Sequence, residues 1–263
     1  MLLAMRLFLD SFWRALAYCL MPRVITLSLL PLALLATGCA TSRQAATPDP
    51  RDPIEGFNRA IYSFNVQVDK AVARPVAKAY VAVTPKPARS AVSNFLGNLA
   101  YPGVIVQQLL QVKPRLFLRS TSRLVVNTTV GIGGLFDPAT GWGLPADNED
   151  FGQTFGRWGV GSGPYVMLPF LGPSTLRDAI GTVGDRYTQP EHYANNTWVQ
   201  WGTTGLRLVD RRAQLLNTDD ALNRYLDPYS FVRNAYLQRR QFLIYDGNPP
   251  DQDYDDDESD DKP

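Results

Sequence analysis

The sequence predicts a mainly α-helical body interrupted by one glycine- and aromatic-rich loop segment. Three observations carry that expectation. Apolar residues recur at steps of three and four along most of residues 54–245, the period of one helix face. Capping residues and prolines stand where those stripes begin. Residues 131–172 instead hold eleven glycines and four prolines, a density that breaks regular helix. With 263 residues, 45% apolar and 19% charged, the chain can build one packed domain and is too apolar to be disordered throughout.

Asp52-Pro-Ile-Glu55 supplies an N-cap, a first-position proline and a capping-box acid. Ile54, Phe57, Ile61, Phe64, Val68 and Val72 follow as one stripe, so a helix of about five turns is expected. Arg74-Pro75 should break it and start a short helix through Tyr80. Residues 87–99 repeat the pattern through Val92, Phe95, Leu96 and Leu99, and Tyr101-Pro-Gly103 should stop it. Residues 104–112 and 114–130 read as two more helices, split at Lys113-Pro114. The second places Arg115, Arg119 and Arg123 four apart, a spacing that suits either snorkelling toward lipid phosphates or a solvated face. In residues 131–172 the rings of Phe136, Trp142, Phe151, Phe155, Trp158, Tyr165 and Phe170 should carry the packing, with short strands among the loops. Helices follow at 174–185, 203–216, 219–226 and 228–245, the last opened by Asp227-Pro228, and no internal repeat is visible.

The two ends read differently. Behind Arg23, residues 24–35 form an apolar run, and Ala36-Thr-Gly-Cys39 closes it with small residues: a secretory signal whose last cysteine resembles the lipobox of bacterial lipoproteins. Ala36 stands where leucine is more usual. Residues 1–38 are therefore assigned as signal peptide, with Met21 a second possible start, and Cys39 as the lipidation site carrying an N-acyl diglyceride. A run of twelve is short of the roughly twenty residues a spanning helix needs. Cys19 departs with the signal, so no intramolecular disulfide can form. Residues 39–52 are a polar, proline-containing tether. Residues 246–263 carry nine acids and one lysine, net −8, and should be a disordered tail, which leaves residues 53–245 as the helical domain. Without that tail the mature chain has 22 basic and 15 acidic residues, net +7.

Composition excludes much chemistry. One histidine, His192, and one mature cysteine leave zinc sites and histidine general bases nearly without residues. Gly131-Ile-Gly-Gly134 and Gly159-Val-Gly-Ser-Gly163 complete neither a dinucleotide fingerprint nor a P-loop, and Ser162 and Ser174 lack the flanking glycines of a nucleophile elbow. No enzyme is expected, and no metal. Arg211, Arg212, Arg233, Arg239 and Arg240 could bind phosphates or the acidic tail, or simply face solvent. An exported, anchored protein meets no nucleic acid.

A series of collinear blocks then resembles one family. Asp52-Pro-Ile-Glu-Gly-Phe-Asn-Arg59, Tyr62-Ser-Phe-Asn65, Arg74-Pro-Val-Ala77, Asp150-Phe-Gly-Gln-Thr154, Trp158-Gly-Val-Gly161, Leu171-Gly-Pro-Ser-Thr-Leu-Arg-Asp178 and Arg212-Ala-Gln-Leu-Leu216 are similar to the MlaA/VacJ lipoproteins. The resemblance implies a helical ring embedded in the periplasmic leaflet of the outer membrane around an amphipathic channel. It implies removal of phospholipids misplaced in the outer leaflet and their delivery to a soluble periplasmic carrier of the MlaC type. It also implies association with trimeric porins of the OmpC/OmpF type. Under this resemblance Ser63 and Phe64 are candidates for seating the ring, and Gly131, Gly133 and Gly134 for backbone near the channel. A lipid with about thirty chain methylenes costs on the order of 20 kcal/mol to expose to water, so any such route must shield the chains throughout. The competing reading is a porin-bound lipoprotein that only braces the envelope.

Overall fold

The computed structural model describes residues 49–222 and 224–250. The expected signal peptide with Met21, the expected lipidation site Cys39, the expected tether up to residue 48 and the acidic residues beyond 250 lie outside the described residues. Helix α1 (Glu55–Val68) runs through a π turn (Asp69–Ala73) into α2 (Arg74–Val83), and α3 (Lys86–Leu110) packs against α4 (Pro114–Thr129). Two short helices, α5 (Pro138–Gly141) and α6 (Phe151–Arg157), lead to a hairpin of β1 (Tyr165–Leu168) and β2 (Gly172–Thr175). The remainder is α7 (Leu176–Thr188), a 3-10 turn (Pro190–Tyr193), α8 (Thr197–Gln214), a second 3-10 turn (Leu216–Thr218), α9 (Asp219–Leu222) and α10 (Pro228–Ile244). The body is mainly helical, as expected. No helix among the described residues is long and apolar enough to cross a membrane.

Several expected boundaries move. Arg74-Pro75 does not break the first helix: the Arg74 N–H donates to the carbonyl of Asp69, five residues back, and this wider turn makes room for a residue with no N–H to give. Tyr101-Pro-Gly103 lies inside α3, which is one helix of 25 residues rather than two. Packing overrides the proline there. Tyr101 is buried under Arg123, which donates from Nε to its hydroxyl at 2.7 Å, and a Cβ at Gly103 would stand 2.9 Å from the Thr188 hydroxyl. Asp52 is not the cap of α1; Ile54 holds that place without a side-chain bond. The capping expected at Asp227 is present, its carboxylate accepting from the Ser230 N–H. The segment 131–172 holds the expected strands but also α5 and α6, each begun by an aspartate cap, Asp137 and Asp150.

Hairpin register pairs Tyr165 with Thr175 and Leu168 with Gly172. Asn58 and Asn65, seven apart on α1, hold the hairpin by imitating a neighbouring strand. Asn58 donates to the Tyr165 carbonyl at 3.0 Å and accepts from Met167 N–H at 2.8 Å. Asn65 does the same with the Leu168 carbonyl (2.9 Å) and Phe170 N–H (2.8 Å). Behind them Tyr165, Met167 and Tyr229 form a small apolar cluster against Ile61, Tyr62, Tyr236 and Leu237.

Candidate functional site

The distribution of side chains is inverted. Among the described residues nine hydrophobic side chains are buried, against 21 polar or charged ones, while 38 large hydrophobics are exposed. Soluble domains do the reverse. Helix α7 shows it most simply. Leu176, Ile180, Val183 and Tyr187 recur at steps of four, three and four and all are exposed, whereas the buried residues of the helix are Arg177, Asp178 and Gly181. The stripe of the sequence around α1 divides: Ile54, Phe57, Phe64 and Val72 are exposed, Ile61 packs against the small apolar cluster, and the fully buried residue of α1 is Asn58. On α4 the buried residues are Ser120, Arg123 and Asn127, with Leu118 and Val125 outside. Apolar surface on this scale marks contact with lipid or partner protein.

Ion pairs hold the polar interior together. Arg240 bonds Asp150 through both terminal nitrogens (2.6 and 2.9 Å) and Asp178 through one (2.9 Å), while the Tyr236 hydroxyl donates to Asp178 at 2.7 Å. Asp52 accepts from Asn58, Tyr229 and Arg233. Arg123 donates to Tyr101, Thr140, the Leu144 carbonyl and both oxygens of Asp137. Against the raising effect of burial, hydrogen bonds from Thr140, Asn127 and Arg123 hold the Asp137 carboxyl down at about 2. Arg119 pairs with Asp147 and keeps about a third of its side chain exposed, whereas Arg123 is buried and neither snorkels toward lipid nor faces solvent. Arg212, Arg233 and Arg240 are likewise consumed inside the body. Asp185 stands apart. Burial pushes its carboxyl up to about 7 against the Phe151 N–H that it accepts, and the charges of Asp150 and Asp178 add to the rise.

Between α1, the π turn, the hairpin, α9 and α10 lies a cavity of about 660 Å³ with a mainly apolar wall. That volume is in the range of small-molecule sites. Tyr62, Val66, Leu215 and Phe231 give the apolar surface, and Asp69, Lys70, Arg74, Arg212 and Asp219 the charges. Arg212 grips Asp69 at 2.6 and 2.9 Å and reaches Asp219 at 2.9 Å; Arg74 lies 3.1 Å from Asp219. The bonds to Asp69, opposed by burial and aided by Asp219, raise the Arg212 guanidinium further above its ordinary value. This ladder ties the π turn to α8 and α9. The wall can therefore offer both oily and charged surface to one amphiphile.

The candidate residues fall around this cavity unevenly. Phe64 is half-exposed and meets Phe170 edge to face at 5.2 Å, at the tip of the hairpin; it is no core residue. Ser63 donates to the Arg59 carbonyl at 2.9 Å and faces outward. Gly131, Gly133 and Gly134 end α4, and none is among the residues lining the cavity. A Cβ at Gly131 would stand 2.4 Å from two carbonyls, and Gly134 has φ +90 against Asn98, so these glycines serve a tight turn. Among the described residues no group of three His, Cys, Asp or Glu side chains converges on a metal position. His192 sits in the 3-10 turn with Tyr187 and Tyr193 edge-on at 5.1 and 5.3 Å. Sequence reasoning singled out Arg212 but missed the other charged residues of the cavity, Asp69, Lys70, Arg74 and Asp219. Asp69 and Arg212 are 143 positions apart and carry no local pattern.

Comparison with known proteins places this geometry. The family model described as MlaA lipoprotein matches residues 50–243. The intermembrane phospholipid transport system lipoprotein MlaA of Escherichia coli K12 is 41% identical over 222 residues, covering 81% of this chain and 86% of that protein. Its namesake in Haemophilus influenzae is 34% identical over 229 residues, covering 84% and 90%. A solved structure, described as concerning the structural basis for maintenance of bacterial outer membrane lipid asymmetry, superposes with a TM-score of 0.67 at 40% identity, covering 73% of this chain and 98% of that one.

Proposed function

The chain belongs to the MlaA lipoprotein family, and from that premise we propose that it is an envelope lipoprotein of intermembrane phospholipid transport, serving outer-membrane lipid asymmetry. In this reading the body sits in the periplasmic leaflet of the outer membrane, anchored through the acylated Cys39, as a ring around a passage. Misplaced phospholipid leaves the outer leaflet through that passage and is handed to a soluble periplasmic carrier of the MlaC type. Trimeric porins of the OmpC/OmpF type hold the protein in place.

The inverted body is the observation that carries the reading: among the described residues, 38 exposed large hydrophobics around a polar interior suit a surface whose solvent is lipid. The α7 stripe alone gains roughly 6 kcal/mol when its four side chains leave water. The cavity wall supports the same conclusion, since a phospholipid needs charge for its head and apolar contact for its chains. No covalent step is required. Without an energy source such a passage only lets lipid follow its gradient.

Purified, lipidated protein in vesicles with a labelled phospholipid tests this. Intact lipid should reach a soluble carrier. Absence of transfer with stable membrane binding would leave only a brace, and lysolipid or fatty acid in the products would make the protein a hydrolase. Phe64→Ala should keep the fold, because the side chain is half-exposed, yet change the transfer rate by loosening the hairpin tip.

A further inference from the structure

Among the described residues the charges lining the cavity do not cancel. Three cations, Lys70, Arg74 and Arg212, face two carboxylates, Asp69 and Asp219. Arg212 takes both carboxylates and Arg74 shares Asp219. Lys70 is left over: it is exposed at the cavity wall, and among the described residues it forms no ion pair. The π turn explains how it comes to face the same space. Tyr62, Asn65 and Val66 share one face of α1, and the π turn carries that face on from Asp69 and Lys70 to Arg74.

We propose that Lys70 is a head-group determinant: its ammonium binds the phosphodiester of a phospholipid in the cavity and favours a net-anionic head group such as phosphatidylglycerol over zwitterionic phosphatidylethanolamine. The inference rests on the transport reading above and adds a selectivity to it. A lysine acts on phosphate as a mobile point charge, with no fork geometry to satisfy. Phosphatidylethanolamine brings its own ammonium, which competes for the same phosphate; phosphatidylglycerol does not. Val66, Leu215 and Phe231 are placed to meet the glycerol and the upper chain methylenes. Because Lys70 is exposed, the preference is that of a surface ion pair, about three- to five-fold, and salt weakens it.

The test uses the full lipidated protein in detergent, titrated with phosphatidylglycerol or phosphatidylethanolamine and read by native mass spectrometry. Occupancy by phosphatidylglycerol should exceed that by phosphatidylethanolamine about three- to five-fold, Lys70→Gln should bring the ratio to about one, and Lys70→Arg should keep it. An even ratio in the unaltered protein, or a preference that survives Lys70→Gln, overturns the proposal. Displacement of the lipid by excess inorganic phosphate would assign the site to free phosphate and overturn it as well. If the preference depends on Lys70 but vesicle assays show no transfer, the site stands and the transport reading falls.

Discussion

Replacing Asn58 by alanine should be among the most damaging single changes available outside the ion-pair clusters. Asn58 is fully buried and makes three hydrogen bonds, to Asp52 at 2.8 Å, to the Tyr165 carbonyl at 3.0 Å and from Met167 N–H at 2.8 Å. Truncation strands the Met167 amide, itself 1% exposed, and takes one of three donors from a buried carboxylate. An orphaned buried amide costs about 1–3 kcal/mol, and a weakened buried carboxylate adds a similar amount, so the expected loss is about 3–4 kcal/mol. For a body of this size that is a fall of roughly 10 °C in midpoint. Thermal unfolding in mild detergent, followed by circular dichroism, measures it. Asn58→Asp sharpens the test: it keeps the acceptor for Met167 but sets a second carboxylate against Asp52, so its deficit should shrink as the pH falls and the pair takes up a proton. An Asn58→Ala midpoint within about 2 °C of the unaltered protein would refute this account of how the hairpin is held.

Two further outcomes follow from the same features. Asp185 holds a proton up to about pH 7 in the folded chain, against an unperturbed 3.8. Between those values the native state binds a proton that the unfolded chain releases, so this contribution to stability is full below about pH 4 and is lost as the pH rises through 7. Asp185→Asn removes the ionisation, so its unfolding free energy should rise relative to that of the unaltered protein between pH 5 and pH 8, by about 2 kcal/mol after discounting for partial solvent contact; a constant difference across that range would disprove the assignment. Ile180→Asp lies on the outward stripe and should leave folding in detergent nearly unchanged, yet weaken vesicle binding of a Cys39→Ala protein about ten-fold in a flotation assay. Unaltered flotation would mean that this stripe does not meet lipid.

Much of the helical order could be read from local chemistry. Asp227-Pro228 and the periodicity after it place α10 within a residue or two, because capping and proline preference act within one turn. The prolines at 75 and 102 misled because their effect depends on what surrounds them: a π turn absorbs one, and close packing of Tyr101 and Gly103 holds the helix together at the other. Periodicity fixes the angle at which apolar residues stand, not the medium they meet. The stripe of α1 was therefore visible, while the outward direction of Phe57 and Phe64 was not. A signal was nonetheless present in the polar residues at helical spacing, Asn58 and Asn65 on α1 and Arg123 and Asn127 on α4, which turn inward. Asp52 escaped notice as a buried hub because its partners Tyr229 and Arg233 lie 177 and 181 positions away. Helix α6 was hidden by Gly152 and Gly156, which read as loop; at Gly152 a Cβ would stand 2.4 Å from Asp178, so glycine is there to let two helices touch. The cavity itself is assembled from α1, the hairpin and the last helices, and no window of sequence contains it.

The most direct examination of the central claim is photo-crosslinking in proteoliposomes with a phospholipid that carries a diazirine on its head group, with adducts located by mass spectrometry. If the cavity is where a head group enters the body, adducts should form on Lys70, Leu215 and their neighbours in the wall and should diminish when unlabelled phospholipid is added. Adducts confined to the outward belt, at Ile180 and Val183 but never within the cavity, would contradict it.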